Sequence, residues 1–138
     1  MSLNELRDKA YKIADEHGFH GIDEHGINQD DLCRKLMLTV GELSEAMEAD
    51  RKGKWCGNPK VDIGFEENNI CQLSQIEPNS ITDAFYEAEI KGTVEEEIAD
   101  AIIRLLDFAG IHNIDLDWHV QAKMAYNEKR EYKHGKKY

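Results

Sequence analysis

Apolar residues recur along this chain at intervals of three and four, the spacing that places side chains on one face of an α-helix. In the first segment the repeat consists of Leu3, Leu6, Ala10, Ile13 and Ala14. Ser2 and Glu5 form a capping box ahead of it, and Gly18 supplies a stop. The pattern therefore predicts a first helix over about residues 3–17.

A second and longer segment follows a stretch, residues 18–27, that has no period. Asn28 offers an N-cap, and the pattern runs to about Arg51 before Gly53. Residues 53–79 contain both prolines of the chain and clusters of Asn, so they predict an irregular insertion. The insertion is long for a simple connection.

Three further helices are predicted after the insertion. Ser80 and Asp83 cap a short helix that reaches about residue 91, and Thr93 with Glu96 caps one that runs through Ala109 to Gly110. The last helix begins at residue 115 or 117, both Asp, and reaches about residue 132. No alternating strand pattern competes, so the sequence predicts an all-α fold.

Size and charge limit the function. The 138 residues suffice for a single domain over 1–138, and the formal net charge of −11 disfavours binding to nucleic acid or to an acidic membrane. The three cysteines form no Cys-x-x-Cys pair. The sequence also contains no run of about 18 apolar residues, the length needed to cross a bilayer. We expect a cytoplasmic protein that contacts neither nucleic acid nor membrane.

Two acidic pairs stand out because each lies on a predicted helix. Glu42 and Glu45 are three residues apart in the second helix, and Glu97 and Asp100 repeat that spacing in a later one. Residues three apart share a face, although pairs of this kind also arise by chance on solvated faces in so acidic a chain. What distinguishes these pairs is their apolar surroundings.

The second helix has an apolar stripe on one side, made of Leu36, Val40, Leu43 and Met47, while Leu38 and Ala49 share the opposite face with the two glutamates. We therefore expect the second helix to be covered on both sides. The later helix has a broad apolar face, and beside it, at the border of the core, lies a narrow strip made of Glu97, Asp100, Arg104 and Asp107. Carboxylates 4 Å apart repel by about 4 kcal/mol at an effective dielectric of 20, so four such groups call for a cation. Oxygen ligands without His or Cys suit a hard ion such as Mg²⁺.

Three stretches carry a family resemblance: GELSEAMEADRKGK (41–54), IKGTVEEEIADAIIRLLDFAG (90–110) and KMAYNEKREYKHGKKY (123–138). They resemble the MazG-like nucleoside triphosphate pyrophosphohydrolases, whose pattern is Glu-x-x-Glu followed by Glu-x-x-Asp on consecutive core helices. The matching residues are Glu42, Glu45, Glu97 and Asp100. Glu45 and Glu97 stand 52 positions apart, which is wider than compact members are expected to have.

The resemblance implies a fold, a reaction and an assembly. The fold is an antiparallel bundle of four main helices plus a short extra helix. The four acids hold Mg²⁺, for which Mn²⁺ can substitute, and water attacks the α-phosphorus of a nucleoside triphosphate to give a nucleoside monophosphate and pyrophosphate. The assembly is a homodimer or homotetramer. Nothing in the sequence identifies the base or the sugar.

Lys123, Asn127 and Arg130 follow an i, i+4, i+7 spacing that would place two cations and an amide on one helix face. A solvated basic face is the plain alternative, and resemblance to the family's Lys-x-x-x-Asn-x-x-Arg ending favours phosphate binding. Trp55 either stacks on a base or covers a helix end. The histidines at 17, 20 and 25 lack a recognisable ligand spacing, so no metal site is predicted there.

Two rival functions remain at this level. A di-iron bundle needs Glu-x-x-His on two helices, and only Glu131 and His134 have that spacing, so it is disfavoured. A non-catalytic helical sensor or interaction module that binds Mg²⁺-nucleotide would use the same ligands as the enzyme. Only a measurement of turnover separates the sensor from the hydrolase.

Overall fold

The computed structural model describes residues 1–56 and 76–130. Its α-helices are α1 (Leu3–Glu16), α2 (Leu32–Arg51), α3 (Asp83–Phe85), α4 (Val94–Ile111) and α5 (Leu116–Glu128). A 3-10 turn at Pro78–Ser80 precedes α3, and a π-helical turn at Tyr86–Ile90 follows it. Residues 1–56 and 76–130 contain no strand, only an isolated antiparallel bridge between Ile22 and Asn28. The all-α prediction is therefore confirmed for these described ranges.

No helix in the described ranges has the length and apolar character needed to cross a membrane. The chain divides into two compact units, and α4 contributes to both. The terminal unit contains the described residues of 1–32 and 105–130, and the central unit contains those of 33–104. The prediction of a single domain over the whole chain stays a prediction.

In the terminal unit, α1 and α5 cap each other's first turns. The backbone N–H groups of Leu3 and Asn4 donate to the two carboxylate oxygens of Asp117, at 3.0 and 3.3 Å, and the N–H of Leu116 donates to Asn4 Oδ1 at 2.9 Å. The first N–H groups of a helix have no partner within that helix, so these bonds satisfy donors that would otherwise depend on water. The predicted capping box of Ser2 and Glu5 is also present.

Asp115 is the N-cap of α5, one of the two residues predicted for its start. Its carboxylate accepts from the Asn4 side-chain amide at 2.9 Å and from the N–H of Trp118 at 3.1 Å. The bond from Asn4 is the larger cause, and the bond from Trp118 the second, of a lowered pKa of Asp115. Both bonds favour the charged form of the group that begins the helix.

Several predicted helix ends are wrong by a few residues. Asn28 does not cap α2, which begins at Leu32, because Asn28 pairs with Ile22 and its side-chain oxygen accepts the N–H of Asp30. The short helix is capped by the Thr82 hydroxyl instead of Ser80, since Ser80 already lies in the 3-10 turn. In both cases a local turn uses the residue that the sequence pattern assigned to a cap.

The ends of the last two helices also differ from prediction. Gly110 does not stop α4, which continues to Ile111, and the left-handed residue after it is Asn113 with a φ of 49°. α5 ends at Glu128 instead of about residue 132, with Lys129 as its C-cap. Residues 131–138, and positions 57–75 of the predicted insertion, lie outside the described residues.

The faces of α2 are arranged differently from the expectation that both are covered. Its apolar stripe of Leu36, Val40, Leu43 and Met47 is exposed. The buried face is largely polar and consists of Lys35, Thr39, Glu42, Ala46 and Ala49. α2 therefore places a charged ligand candidate inside and its apolar stripe outside.

Gly110 is needed for a close approach of two helices in the terminal unit. A Cβ at Gly110 would lie 2.6 Å from the Tyr11 Cβ, closer than real Cβ atoms approach one another, and 3.1 Å from the Tyr11 ring. At Gly41 in α2, a Cβ would meet nothing within 4 Å. These two helical glycines therefore have different functions.

This contrast generates a paired prediction. Gly110→Ala should lower the free energy of unfolding by about 1–3 kcal/mol, the usual cost of overpacking. Gly41→Ala should raise it by up to about 1 kcal/mol, because alanine has the higher helix propensity and space is available. Urea unfolding of both variants tests this, and equal changes in the two would contradict the assigned contact.

Candidate metal centre

Three of the four predicted acids come together in the central unit. Carboxylate oxygens of Glu42, Glu97 and Asp100 all lie within 4.8 Å of one another. Glu42 and Glu97 are buried, and Asp100 is half-buried. Among the residues that the structure describes, this is the only cluster of three or more His, Cys, Asp or Glu with the spacing of metal ligands.

Glu45, the fourth predicted ligand, has an exposed side chain and is not one of the clustered three. Its charge nevertheless acts on the site, because it raises the pKa values of both Glu97 and Asp100. Glu45 therefore lies near the cluster, but its carboxylate is not among those that approach one another within 4.8 Å. A change of side-chain rotamer is the kind of motion that could bring its carboxylate closer.

The cluster opposes its own ionisation. Burial is the main cause of the raised pKa of Glu97, followed by the charges of Glu45, Glu96 and Glu42. Burial also leads for Asp100, followed by Glu42 and Glu96, while Arg104 acts in the opposite direction. Desolvation and like charges both favour the protonated carboxyl, and the charge of a bound cation would offset them by favouring the ionised form.

Local hydrogen bonds fix the first turn of α4, from which Glu97 projects. The Thr93 hydroxyl accepts the N–H of Glu96 at 3.3 Å, as the predicted capping box requires. The Glu96 carboxylate, however, accepts the N–H of Gly92 instead of that of Thr93. Gly92 has a φ of 69°, which favours glycine and turns its N–H towards Glu96.

The same carboxylate also binds a residue that the sequence did not single out. Tyr86, in the π-helical turn, donates its hydroxyl to Glu96 Oε1 at 2.7 Å. Partial burial, this hydrogen bond and nearby acids including Asp100 raise the pKa of Tyr86 to about 12. Tyr86 is therefore a protonated donor at neutral pH, and π-turns are frequent at functional sites. The role of Tyr86 is visible only from its contact with Glu96 in the structure.

The end of α2 is joined to the beginning of α4 within the same unit. The carbonyl of Lys54 accepts the N–H of Val94 at 3.0 Å, and the N–H of Cys56 donates to Glu95 Oε2 at 2.9 Å. The first bond satisfies a donor at the start of α4, and both bonds link the two helices that carry the clustered acids.

Arg104 is a second residue of the site that the sequence pattern undervalued. The helical repeat placed it in the strip of polar residues with Glu97 and Asp100. In the structure its Nε donates to Glu42 Oε1. The available signal was its spacing, four residues after Asp100 and seven after Glu97, but the partner on α2 could not be identified from spacing.

The predicted phosphate-binding residues lie in the terminal unit, whereas the acids lie in the central unit. Arg130 is beyond the end of α5, so the prediction of a single helix face for Lys123, Asn127 and Arg130 is wrong in detail. The two cations instead share the Tyr126 ring, with Lys123 Nζ 5.1 Å and Arg130 Cζ 5.7 Å from its centroid. Both remain exposed.

The remaining candidates have structural partners. Trp55 is exposed and donates its indole N–H to Asp50 Oδ1 in the last turn of α2 at 3.0 Å, which leaves both interpretations of Trp55 open. His20 is almost buried and hydrogen bonds through Nε2 to Asp107 at 2.7 Å, while His17 and His25 are exposed. These contacts give no catalytic assignment to any of the four residues.

The raised pKa values generate a prediction for the metal-free protein. Between the unfolded and the raised folded pKa, the native state holds more protons, so the contribution of each acid to stability falls as pH rises through that interval. At pH 7 to 8 in EDTA, Glu97→Gln should therefore increase the free energy of unfolding, and the gain should shrink towards pH 4. Urea titrations across this range measure it.

Glu128→Gln, at an exposed position of α5, is the matched control and should change stability little at any pH. If Glu97→Gln destabilised the metal-free protein at neutral pH, the assigned repulsion within the cluster would be wrong.

Comparison with known proteins adds no assignment to this geometry. No protein-family model, curated protein or solved structure matches the chain. Its function must therefore be argued from its own residues: three clustered carboxylates, a fourth close by, and an arginine bound to one of them.

Proposed function

We propose that this chain is a Mg²⁺-dependent nucleotide pyrophosphohydrolase that converts a nucleoside triphosphate to a monophosphate and pyrophosphate. The observation that carries the proposal is the approach of the Glu42, Glu97 and Asp100 carboxylates to within 4.8 Å of one another. Fold and family stay part of the proposal: an antiparallel, MazG-like bundle of four main helices with a short extra helix.

The donor set fits a hard divalent cation. All three clustered groups offer only oxygen, and Mg²⁺ prefers one or two carboxylates together with water and phosphate oxygens. The same donors accept Mn²⁺. Glu42, Glu97 and Asp100 would hold the ion, and Glu45 would complete the set or orient its water shell. When bound, the cation supplies positive charge against the negative charge that builds on the phosphate oxygens.

The chain's own residues divide the remaining tasks. The Tyr86 hydroxyl and the Gly92 N–H hold the Glu96 carboxylate, which keeps the first turn of α4 and hence Glu97 in place. Lys123, Asn127 and Arg130 are the proposed phosphate-binding residues, and Tyr126 restrains both cations. Cations held in place lose less entropy when they bind phosphate.

The proposal also includes a homodimer or homotetramer in the cytoplasm. The exposed stripe of α2 supports it, because a run of large apolar side chains on one helix face is more often covered than left in water. Ile98 and Ile102 of α4 are further exposed apolar side chains of the central unit. Symmetric pairing of such a surface is the commonest way to cover it.

Activity should depend on the metal and on the α4 acids. Pyrophosphate release from a panel of ribo- and deoxyribonucleoside triphosphates should require Mg²⁺ or Mn²⁺ and stop in excess EDTA. Asp100→Asn should lower kcat about 100-fold or more, by analogy with losing a preorganised electrostatic group. Glu24→Gln, an exposed loop change, serves as the control.

Nucleotide binding without release of pyrophosphate in excess of enzyme would replace the hydrolase with the sensor alternative. Full turnover in EDTA, or near-normal turnover of Asp100→Asn, would contradict the site itself.

The oligomer is tested by a single apolar-to-charged change. Leu43→Glu adds a carboxylate at the centre of the α2 stripe and should shift the particle mass towards the 15.8 kDa monomer in light scattering. Lys9→Glu, on an exposed position of α1, should leave the mass unchanged. A wild-type protein that is already monomeric at micromolar concentration would rule out the proposed assembly.

A further inference from the structure

Arg104 connects the two helices of the candidate metal centre. It lies on α4, one turn after Asp100, and its Nε donates to Glu42 Oε1 on α2. Its side chain is 42% exposed, whereas that of Glu42 is only 10% exposed. The guanidinium group therefore has one N–H on a candidate metal ligand while much of the side chain remains open to solvent.

Two features make this contact more than a surface ion pair. The partner is a buried carboxylate that would be left without compensation if the arginine withdrew, which is costly. Arg104 also acts on Asp100, where its positive charge opposes the effect of burial and of Glu42. One side chain thus compensates charge at two of the three clustered acids.

A guanidinium group has five N–H donors, and only its Nε–H is used in the bond to Glu42. The planar fork of the remaining donors matches the geometry of phosphate oxygens. Because Arg104 is beside the acids that would hold the cation, it is also beside any phosphate chain that the cation would bind.

We propose that Arg104 is a substrate-binding residue that exchanges partners: it compensates Glu42 in the metal-free protein and contacts the triphosphate once Glu42 turns to the cation. This inference rests on the proposed function, since it needs both the metal and the nucleotide. Under this proposal, the Arg104 guanidinium becomes available to the triphosphate only after the metal has bound.

The charges of the site predict how the loss of Arg104 changes the affinities for metal and nucleotide. Glu42, Glu97 and Asp100 carry −3 when ionised, and Arg104 reduces this to −2. Removing Arg104 leaves a more negative site with a free Glu42, which attracts a divalent cation more strongly. The same change removes a cation from the side of the polyanionic nucleotide, so the two affinities should move in opposite directions.

The experiment measures both affinities in Arg104→Gln. Mn²⁺ binding without nucleotide, followed by calorimetry or electron paramagnetic resonance, should tighten by about threefold or more, because one repelling charge is lost near the ion. KM for the nucleotide under saturating metal should rise by about tenfold or more, the loss expected for a charge-assisted hydrogen bond. If Arg104 had only a structural role, Arg104→Gln would weaken the binding of both Mn²⁺ and the nucleotide.

Arg51→Gln is the matched control. It removes the same charge from the same unit, but Arg51 pairs with Glu48 at 3.5 Å on the surface of α2. Both constants should stay within about twofold of wild type, as for most exposed pairs. Circular dichroism and melting in Mg²⁺ establish that each variant is folded.

The outcomes distinguish failure of the proposed function from failure of the proposed Arg104 contact alone. A wild-type protein that binds no Mn²⁺ overturns the proposed function and this inference with it. A wild-type protein that binds Mn²⁺ and turns over nucleotide, beside an Arg104→Gln variant with unchanged KM or weakened Mn²⁺ binding, overturns the inference alone. If Arg104→Gln does not fold, Arg104→Lys decides: it keeps the charge but not the fork, and an unchanged KM there overturns the proposed contact.

Discussion

The burial of like charges is the constraint on which the central unit depends. Glu42 and Glu97 are buried and Asp100 is half-buried, although each desolvated carboxylate disfavours ionisation of the others. A chain that only needed stability would place apolar residues here. The cost is partly offset by Arg104, and the remainder makes the cluster a site at which a cation would relieve repulsion. Burying Glu42 also turns the apolar stripe of α2 outwards, so the charge cluster and the proposed subunit contact have one origin.

The second organising feature is the start of α4. Hydrogen bonds reach residues 92–97 from two directions, from Lys54 and Cys56 after α2 and from Tyr86 before α4. The Lys54 carbonyl satisfies the N–H of Val94, a first-turn donor, while Cys56 and Tyr86 donate to the carboxylates of Glu95 and Glu96.

Helical periodicity was sufficient to predict the fold class, the five helices and the acidic pairs, because each of these depends on residues within a few positions of one another. It failed where a distant or competing contact decides. Asn28 pairs with Ile22 instead of capping α2, Gly110 accommodates Tyr11 instead of ending α4, and Arg130 folds back over Tyr126 instead of continuing α5. The Arg104 contact with Glu42 spans 62 positions and has no local signal. Periodicity predicted which residues share a face of α2, but not that only the face with Glu42 is buried while the apolar stripe is exposed.

The central claim is that Glu42, Glu97 and Asp100 jointly hold a divalent cation. The most direct measurement is a crystal structure of the protein grown with Mn²⁺, with data collected to give an anomalous difference map. The account predicts one strong peak within about 2–2.5 Å of an oxygen from each of the three carboxylates, the usual range for a hard ion, with Arg104 withdrawn from Glu42. A map with no peak at these acids, at Mn²⁺ concentrations that support turnover or nucleotide binding, would contradict it.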